Sequence, residues 1–394
     1  MTEQPSRIRV WYRPMRSRDR GEDHRVATPL ELLFDLCFVV AVGQAAAALH
    51  HALAEGHAAH GVSSFAMVFF AIWWGWLNFS WFASAFDTDD VPYRLATLVQ
   101  IAGGLTIAAG VSSAFEGDFR VIVAGYVLMR LALVGQWLRA AGAAPEARPA
   151  ALRFAAGIAL CQVLWGIRLF LPESTATVTF AAIVLCELAV PVIAERSART
   201  TWHPHHIAER YGLFTLIVLG ETILSATNAL KEGTAEAGHL GALISLAVAA
   251  LVLVFSMWWL YFDRPGHARL VRRPGMFTAM SWGYGHYLIF ASAAAVGAGL
   301  EVAVGYDTHV LHGVGGVAAA LATTVPVAVF LLSVWLLHIG PTNECRPIAI
   351  GFPVTAVLVV AASFTPAPIH VTAGLAAALV VLTVVATHGE RHPA

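Results

Sequence analysis

Five ionisable side chains stand inside stretches that are otherwise apolar: Glu31, Asp35, Arg130, Glu187 and Glu221. A charged group near the centre of a bilayer costs roughly 2.5–3.5 kcal/mol on insertion scales, so one that is kept there reads first as a binding group or a proton relay. Glu31 and Asp35 are four residues apart, which on a helix stacks them on one face and aims both at the same neighbour. Two carboxylates so placed can hold a cation or share a proton, since both cannot readily stay ionised in a dry site. Arg130 can neutralise Asp35 or Glu187; the plainer alternative is a buried ion pair that only fixes packing.

Glu221 follows Gly220, and a similar stretch earlier in the chain places the neutral Gln44 after Gly43. Acid in one half and amide in the other would give an asymmetric site, with one half binding charge and the other supplying a dipole. The alternative is that the glycines allow close helix contact while Gln44 and Glu221 hydrogen-bond across it. Glu209 and Arg210 stand beside His203, His205 and His206, where an exposed cytoplasmic mouth is expected. This histidine group and His50, His51, His57 and His60 lack a closed ligand set at helical spacing, so no metal and no cofactor is expected. Trp73, Trp74 and Trp76 read as packing residues and Trp81 as an interfacial one. Cys37, Cys161, Cys186 and Cys345 have no paired spacing that would suggest a disulfide framework. Walker loops, dinucleotide fingerprints, nucleophile elbows and zinc-protease motifs are absent, which argues against an ATP-driven pump within this chain, and no catalytic residue is assigned.

The elements that must position these groups follow from composition. Hydrophobic residues make up 58% of the 394 positions and charged residues 12%, about half the charged share of an average soluble domain. The runs Leu240 to Phe262, Met276 to Leu300, Gly313 to Leu337 and Ile348 to His370 contain no charged residue apart from histidine. Each exceeds the roughly 20 residues that cross a bilayer core. Apolar runs and polar breaks predict about twelve helices: 29 to 52, 61 to 86, 92 to 115, 119 to 139, 148 to 171, 174 to 194, 206 to 230, 238 to 262, 276 to 302, 313 to 338, 346 to 365 and 368 to 388. At about 1.5 Å per residue, Asp35 and Glu187 fall roughly 10 Å from the inner surface and Arg130 near mid-membrane. Pro326 and Pro353 are expected to kink their helices and free a carbonyl.

The near-neutral net charge of −1 hides a segregation. Arg7, Arg9, Arg13, Arg16, Arg18, Arg20 and Arg25 crowd the first 27 residues, which read as a retained basic cytoplasmic tail rather than a cleaved signal. Alternate loops then carry most remaining basic residues, among them Arg94, Arg139, Arg148, Arg196, Arg199, Arg264, Arg269, Arg272, Arg273 and Arg346, which places both termini in the cytoplasm. Three short matches recur in order: Val42-Gly43-Gln44 with Leu219-Gly220-Glu221, Trp76 to Phe79 with Trp259 to Phe262, and Arg148 to Phe154 with Arg346 to Phe352. They suggest duplication, with a first six-helix repeat over 28–200 and a second over 201–390, related by an axis along the membrane normal.

Two stretches resemble the hallmarks of the bacterial low temperature requirement protein A (LtrA) family. One is Thr28-Pro29-Leu30-Glu31-Leu32-Leu33-Phe34-Asp35-Leu36-Cys37-Phe38-Val39; the other runs from His206 through Glu209-Arg210-Tyr211 to Gly220-Glu221. The resemblance extends over about residues 25 to 390 and implies a bacterial membrane location and a link to growth in the cold. The Phe34-Asp35 helix start is also similar to the Phe-Ser-Asp motif of potassium channels built from six-helix repeats, without the serine.

The sequence therefore predicts an all-α, polytopic transmembrane bundle in the plasma membrane, with lipid, a small ion or solute, and further copies of itself as partners, and no nucleic acid. The functional expectation is a transporter or channel-like permease, proton-coupled, with Glu31, Asp35, Gln44, Arg130, Glu187 and Glu221 as binding groups and His206, Glu209 and Arg210 at the mouth. The rival expectation is a membrane-embedded enzyme or lipid-interacting stress protein.

Overall fold

A computed structural model describes residues 11–18, 26–86, 88–196, 199–233, 240–264, 266, 270–271, 275–308, 311, 313–340 and 345–391. Of the basic residues that set the expected topology, Arg7, Arg9, Arg20, Arg25, Arg269, Arg272 and Arg273 lie outside the described residues.

Among the described residues the structure is entirely helical. The α-helices are α1 (Pro29–Ala54), α2 (Ala58–Phe86), α3 (Val91–Ala109), α4 (Val111–Phe115), α5 (Arg120–Ala143), α6 (Arg148–Arg168), α7 (Ala176–Ala194), α8 (Pro204–Gly233), α9 (Leu240–Phe262), α10 (Met276–Asp307), α11 (Gly316–Val334), α12 (Arg346–Ala361) and α13 (Pro368–Arg391). Among the described residues ten helices are long and apolar enough to cross a membrane. The remaining long helices, α3 and α8, carry more polar residues, α8 containing Glu209, Arg210, Glu221 and Lys231. Every expected apolar segment is helical, with one break: the segment over 92 to 115 divides at Gly110. A side chain there would press on the backbone N of Ile122 at 2.9 Å, so the chain turns where glycine lets α5 approach.

Large apolar side chains face outward along these helices, including Val178 at 73% and Leu185 at 67% exposed on α7. A soluble domain would not leave such a stripe uncovered, whereas lipid covers it without penalty. Inside, small residues set the spacing. A Cβ on Gly103 would lie 2.6 Å from the Gly125 carbonyl and a Cβ on Gly125 equally close to the Gly103 carbonyl, so α3 and α5 meet backbone to backbone. Pro191, Pro326 and Pro353 lie inside α7, α11 and α12. Pro326 has no N–H for the Ala322 carbonyl. Gly299 of α10 packs directly on that carbonyl, where a side chain would collide with it.

The chain forms two compact units, one of described residues within 1–38, 74–113 and 117–207, the other within 39–73, 114–116 and 208–394. Each is treated separately below.

Candidate functional site

In the first unit the start of α1 is built by its own sequence. Thr28 caps the helix, Pro29 supplies a pre-set φ, and Glu31 reaches back so that its Oε2 accepts the Thr28 backbone N–H at 2.7 Å, while the Glu31 N–H donates to Thr28 Oγ1 at 3.3 Å. This reciprocal capping box satisfies two helix-end donors. Glu31 is buried and also pairs with His206, whose Nε2 lies 3.2 Å from Oε1. One turn further on, Asp35 is fully buried and its Oδ1 accepts the indole N–H of Trp76 at 2.7 Å. Phe34 stacks on Phe79 at 4.0 Å and on Phe38 at 4.6 Å, which fixes the helix face that carries Asp35.

Glu187, the twelfth residue of α7, receives five donors. Its Oε2 accepts from Arg130 Nη2 at 2.8 Å and Trp74 Nε1 at 2.9 Å; its Oε1 accepts from Tyr126 Oη at 3.0 Å, Trp165 Nε1 at 3.3 Å and Gln162 Nε2 at 3.4 Å. Glu187 is 0% and Arg130 1% exposed. Four helices thus converge on one carboxylate. Trp74 and Trp76, read from sequence as packing residues, are its donors and those of Asp35; two positions apart on α2, they point to different sides and reach different acids.

At the helix ends of this unit, Asp90 caps α3 by accepting the Tyr93 N–H at 2.9 Å and also accepts the Arg13 backbone N–H at 2.8 Å and Arg139 Nη2 at 2.7 Å. Burial pushes the Asp90 carboxyl upward, but these two backbone donors and the Arg139 charge outweigh it and hold the group below its ordinary value. Asp118, in the turn before α5, is held down to about 2 by Arg120, first through side-chain hydrogen bonds. His203, 7% exposed, donates its backbone N–H to the Ser84 hydroxyl oxygen at 3.0 Å, while His205 is exposed.

In the second unit Glu209 is half-buried, and Arg210, expected at an exposed mouth, is fully buried at 0% exposure. Glu221 lies midway along α8. Its carboxylate is half-buried and has no hydrogen-bond or ion-pair partner among the described residues. It rests on Gly43 of α1, where a Cβ would collide with both carboxylate oxygens. The two motifs matched in sequence therefore meet, but through the glycine of one and the acid of the other; Gln44 is exposed. Beside Glu221, α8 packs on α10: the Thr222 hydroxyl donates to the Ala293 carbonyl at 2.9 Å, and Gly297 admits Thr222 and Ser225. Farther along the same helices His50 Nδ1 lies 3.5 Å from Glu301 Oε2.

Sequence reasoning missed a polar cluster in this unit. His286, in the first half of α10, is fully buried and faces Tyr261 of α9 and His338, which follows α11 in a π-helical turn, Trp335–Ile339. Isolated histidines in apolar runs carry no spacing signal, so only the fold joins them. Among the described residues no three His, Cys, Asp or Glu side chains gather as a metal-binding group.

The comparisons with known proteins follow the same lines. The sequence is 28% identical over 317 residues to uncharacterized protein RA0937 of Rhizobium meliloti (strain 1021), covering 75% of this chain and 72% of that one. No solved structure matches. The profile of the bacterial low temperature requirement A protein (LtrA) matches residues 26–386, nearly the whole chain. Together with the ten membrane-length helices among the described residues, this makes the chain a multi-pass integral membrane protein and a member of the LtrA family.

Proposed function

We propose that this protein is a permease for a small cation or solute, proton-coupled, in which Glu221 is the charge-binding group. One observation carries the reading: among the acids deep in these helices, Glu221 is held by no donor and no cation among the described residues. A carboxylate in that setting is stable only when protonated or when a cation reaches it, and those two states are what a coupled carrier alternates between. Gly43 supports the same reading, because its missing side chain leaves room for the carboxylate head. Asp35 is the second charge-binding candidate. Glu187 and Arg130 satisfy each other and serve as the scaffold that fixes the helices of the first unit; at the start of α1 in the same unit Glu31 pairs with His206, and the basic loops support a cytoplasmic orientation for that end.

The test is flux in liposomes of purified protein, with a pH-sensitive dye inside and a panel of monovalent and divalent cations outside. Glu221→Gln is expected to lower flux by about tenfold or more and to flatten its pH dependence. Gly43→Ala, which displaces the carboxylate, is expected to lower flux less, and to add nothing in the Glu221→Gln background because both act on the same group. Wild-type protein that moves no ion or proton, or Glu221→Gln that matches it, overturns the proposal.

A further inference from the structure

The cluster at Tyr261, His286 and His338 brings two imidazoles and a phenol together inside the second unit. His286 Nδ1 lies 2.7 Å from the Trp282 carbonyl, one helical turn back. A carbonyl only accepts, so Nδ1 carries the hydrogen and Nε2 presents a single lone pair. Two groups face that lone pair: Tyr261 Oη at 3.2 Å and His338 Nε2 at 3.4 Å. The Tyr261 hydroxyl also has Thr215 as a hydrogen-bond partner, and the His338 separation of 3.4 Å is long for a hydrogen bond.

The same distances suit a different occupant. Ligand atoms about 2.0–2.1 Å from a tetrahedral metal lie roughly 3.3–3.4 Å from one another. We propose that His286 Nε2, His338 Nε2 and Tyr261 Oη bind a divalent first-row transition metal, copper(II) in preference to zinc(II), with the fourth position open to water. The tetrahedral spacing itself is zinc's preference, and copper is ranked first on affinity alone, by the order of divalent ions at two imidazoles and a phenolate. Binding converts the Tyr261 phenol to a metal-bound phenolate and releases one proton to solvent, with no change in oxidation state.

The surroundings are built for such a centre. The Trp282 carbonyl orients His286 as an outer partner orients a metal-ligating histidine. The Trp282, Tyr211 and Phe290 rings wall His286 at 4.2, 4.8 and 5.6 Å, while His338 is half-buried and gives an approach from solvent. His338 owes its place to the π-helical turn, closed by the Gly340 N–H on the Trp335 carbonyl at 2.7 Å; Gly340 has φ 79°, which favours glycine. Such turns recur at functional sites because they carry one residue out of helical register. Gly266, after α9, lies over the cluster, and a Cβ on it would sit 4.0 Å from His338 Nε2.

The experiment uses the full chain, purified in detergent through a tag without histidine, dialysed against copper(II) chloride or zinc(II) chloride, with bound metal counted by mass spectrometry and absorption recorded in parallel. The expected result is one tight copper per chain, a visible phenolate-to-copper charge-transfer band, and weaker zinc binding. His286→Gln and His338→Gln are each expected to weaken copper by about 10-fold or more, and Tyr261→Phe to abolish the band. His370→Ala, at the α9–α13 contact with Ser245, should change neither. If His286→Gln fails to fold, the half-buried His338→Gln and the conservative Tyr261→Phe still decide the matter. No stoichiometric copper in the wild type, or copper binding and a band that survive both variants, overturns the proposal, whatever the flux assay shows.

Discussion

Substituting Glu187 by glutamine keeps the shape of the most connected acid in the structure and removes its charge. The amide nitrogen will settle where Oε1 now lies, because Tyr126 and Gln162 can turn to accept a hydrogen bond there and only the long Trp165 bond is lost, whereas Trp74 and Arg130 on the other oxygen can only donate. Most hydrogen bonds therefore survive, and the loss is the countercharge of Arg130. That arginine is 1% exposed and its Nε and Nη1 have no hydrogen-bond partner among the described residues, so the Tyr126 ring, 5.6 Å from its guanidinium carbon, would be left to offset its charge. Stranding one member of a buried pair costs roughly 3–5 kcal/mol. Arg130→Met should cost a similar amount by stranding Glu187, although its four remaining donors soften the loss. The double variant Arg130→Met, Glu187→Gln removes both charges and should be less damaged than either single variant. Thermal unfolding in detergent, followed by size-exclusion chromatography, measures all four corners of this cycle. Single variants within about 0.5 kcal/mol of wild type, or strictly additive effects, would refute the view that this pair locks the first unit.

Gly125→Val on α5 drives a side chain into the Gly103 carbonyl and the Ile107 backbone N and should destabilise by about 3 kcal/mol or abolish expression, while Gly135→Ala on the same helix, with open space beside it, should be neutral or gain up to about 1 kcal/mol. Asp90→Asn removes the charge that joins α3, Arg13 and Arg139 and should cost about 2 kcal/mol at neutral pH by the same unfolding assay. Because the Asp90 carboxyl is held below its ordinary value of 3.8, its contribution is complete above that pH and is lost as pH falls through the lower folded value. Wild type should therefore lose stability on acidification below about pH 4 more steeply than Asp90→Asn; identical acid limbs would exclude this carboxylate as the cause.

The helices were legible because uninterrupted apolar runs of membrane length admit few other folds, and the ends were legible where a cap marks them. Thr28-Pro29-Leu30-Glu31 is a capping-box pattern, and its glutamate could have been assigned to the helix end from sequence alone. The sequence leaves Arg130 a choice between Asp35 and Glu187, and its pairing with Glu187 depends on how α5 and α7 pack, which periodicity does not record. The tryptophans of α2 were read by their bulk, and their N–H groups proved to be the feature that matters around Asp35 and Glu187. Arg210 was read as exposed because it stands near a helix start; helix α8 instead buries it. The Tyr261–His286–His338 cluster had no signal at all, since its members lie on three elements and one is displaced by a π-helical turn.

The carbonyl of Ala322 has one further consequence. Proline has already removed the bond that would stiffen α11 at that level, and Gly299 puts only a hydrogen atom beside it. Flexing α11 between Ala322 and Pro326 has one backbone hydrogen bond fewer to strain than elsewhere in the helix. The helix therefore has an inexpensive joint where its neighbour has no side chain to obstruct a swing.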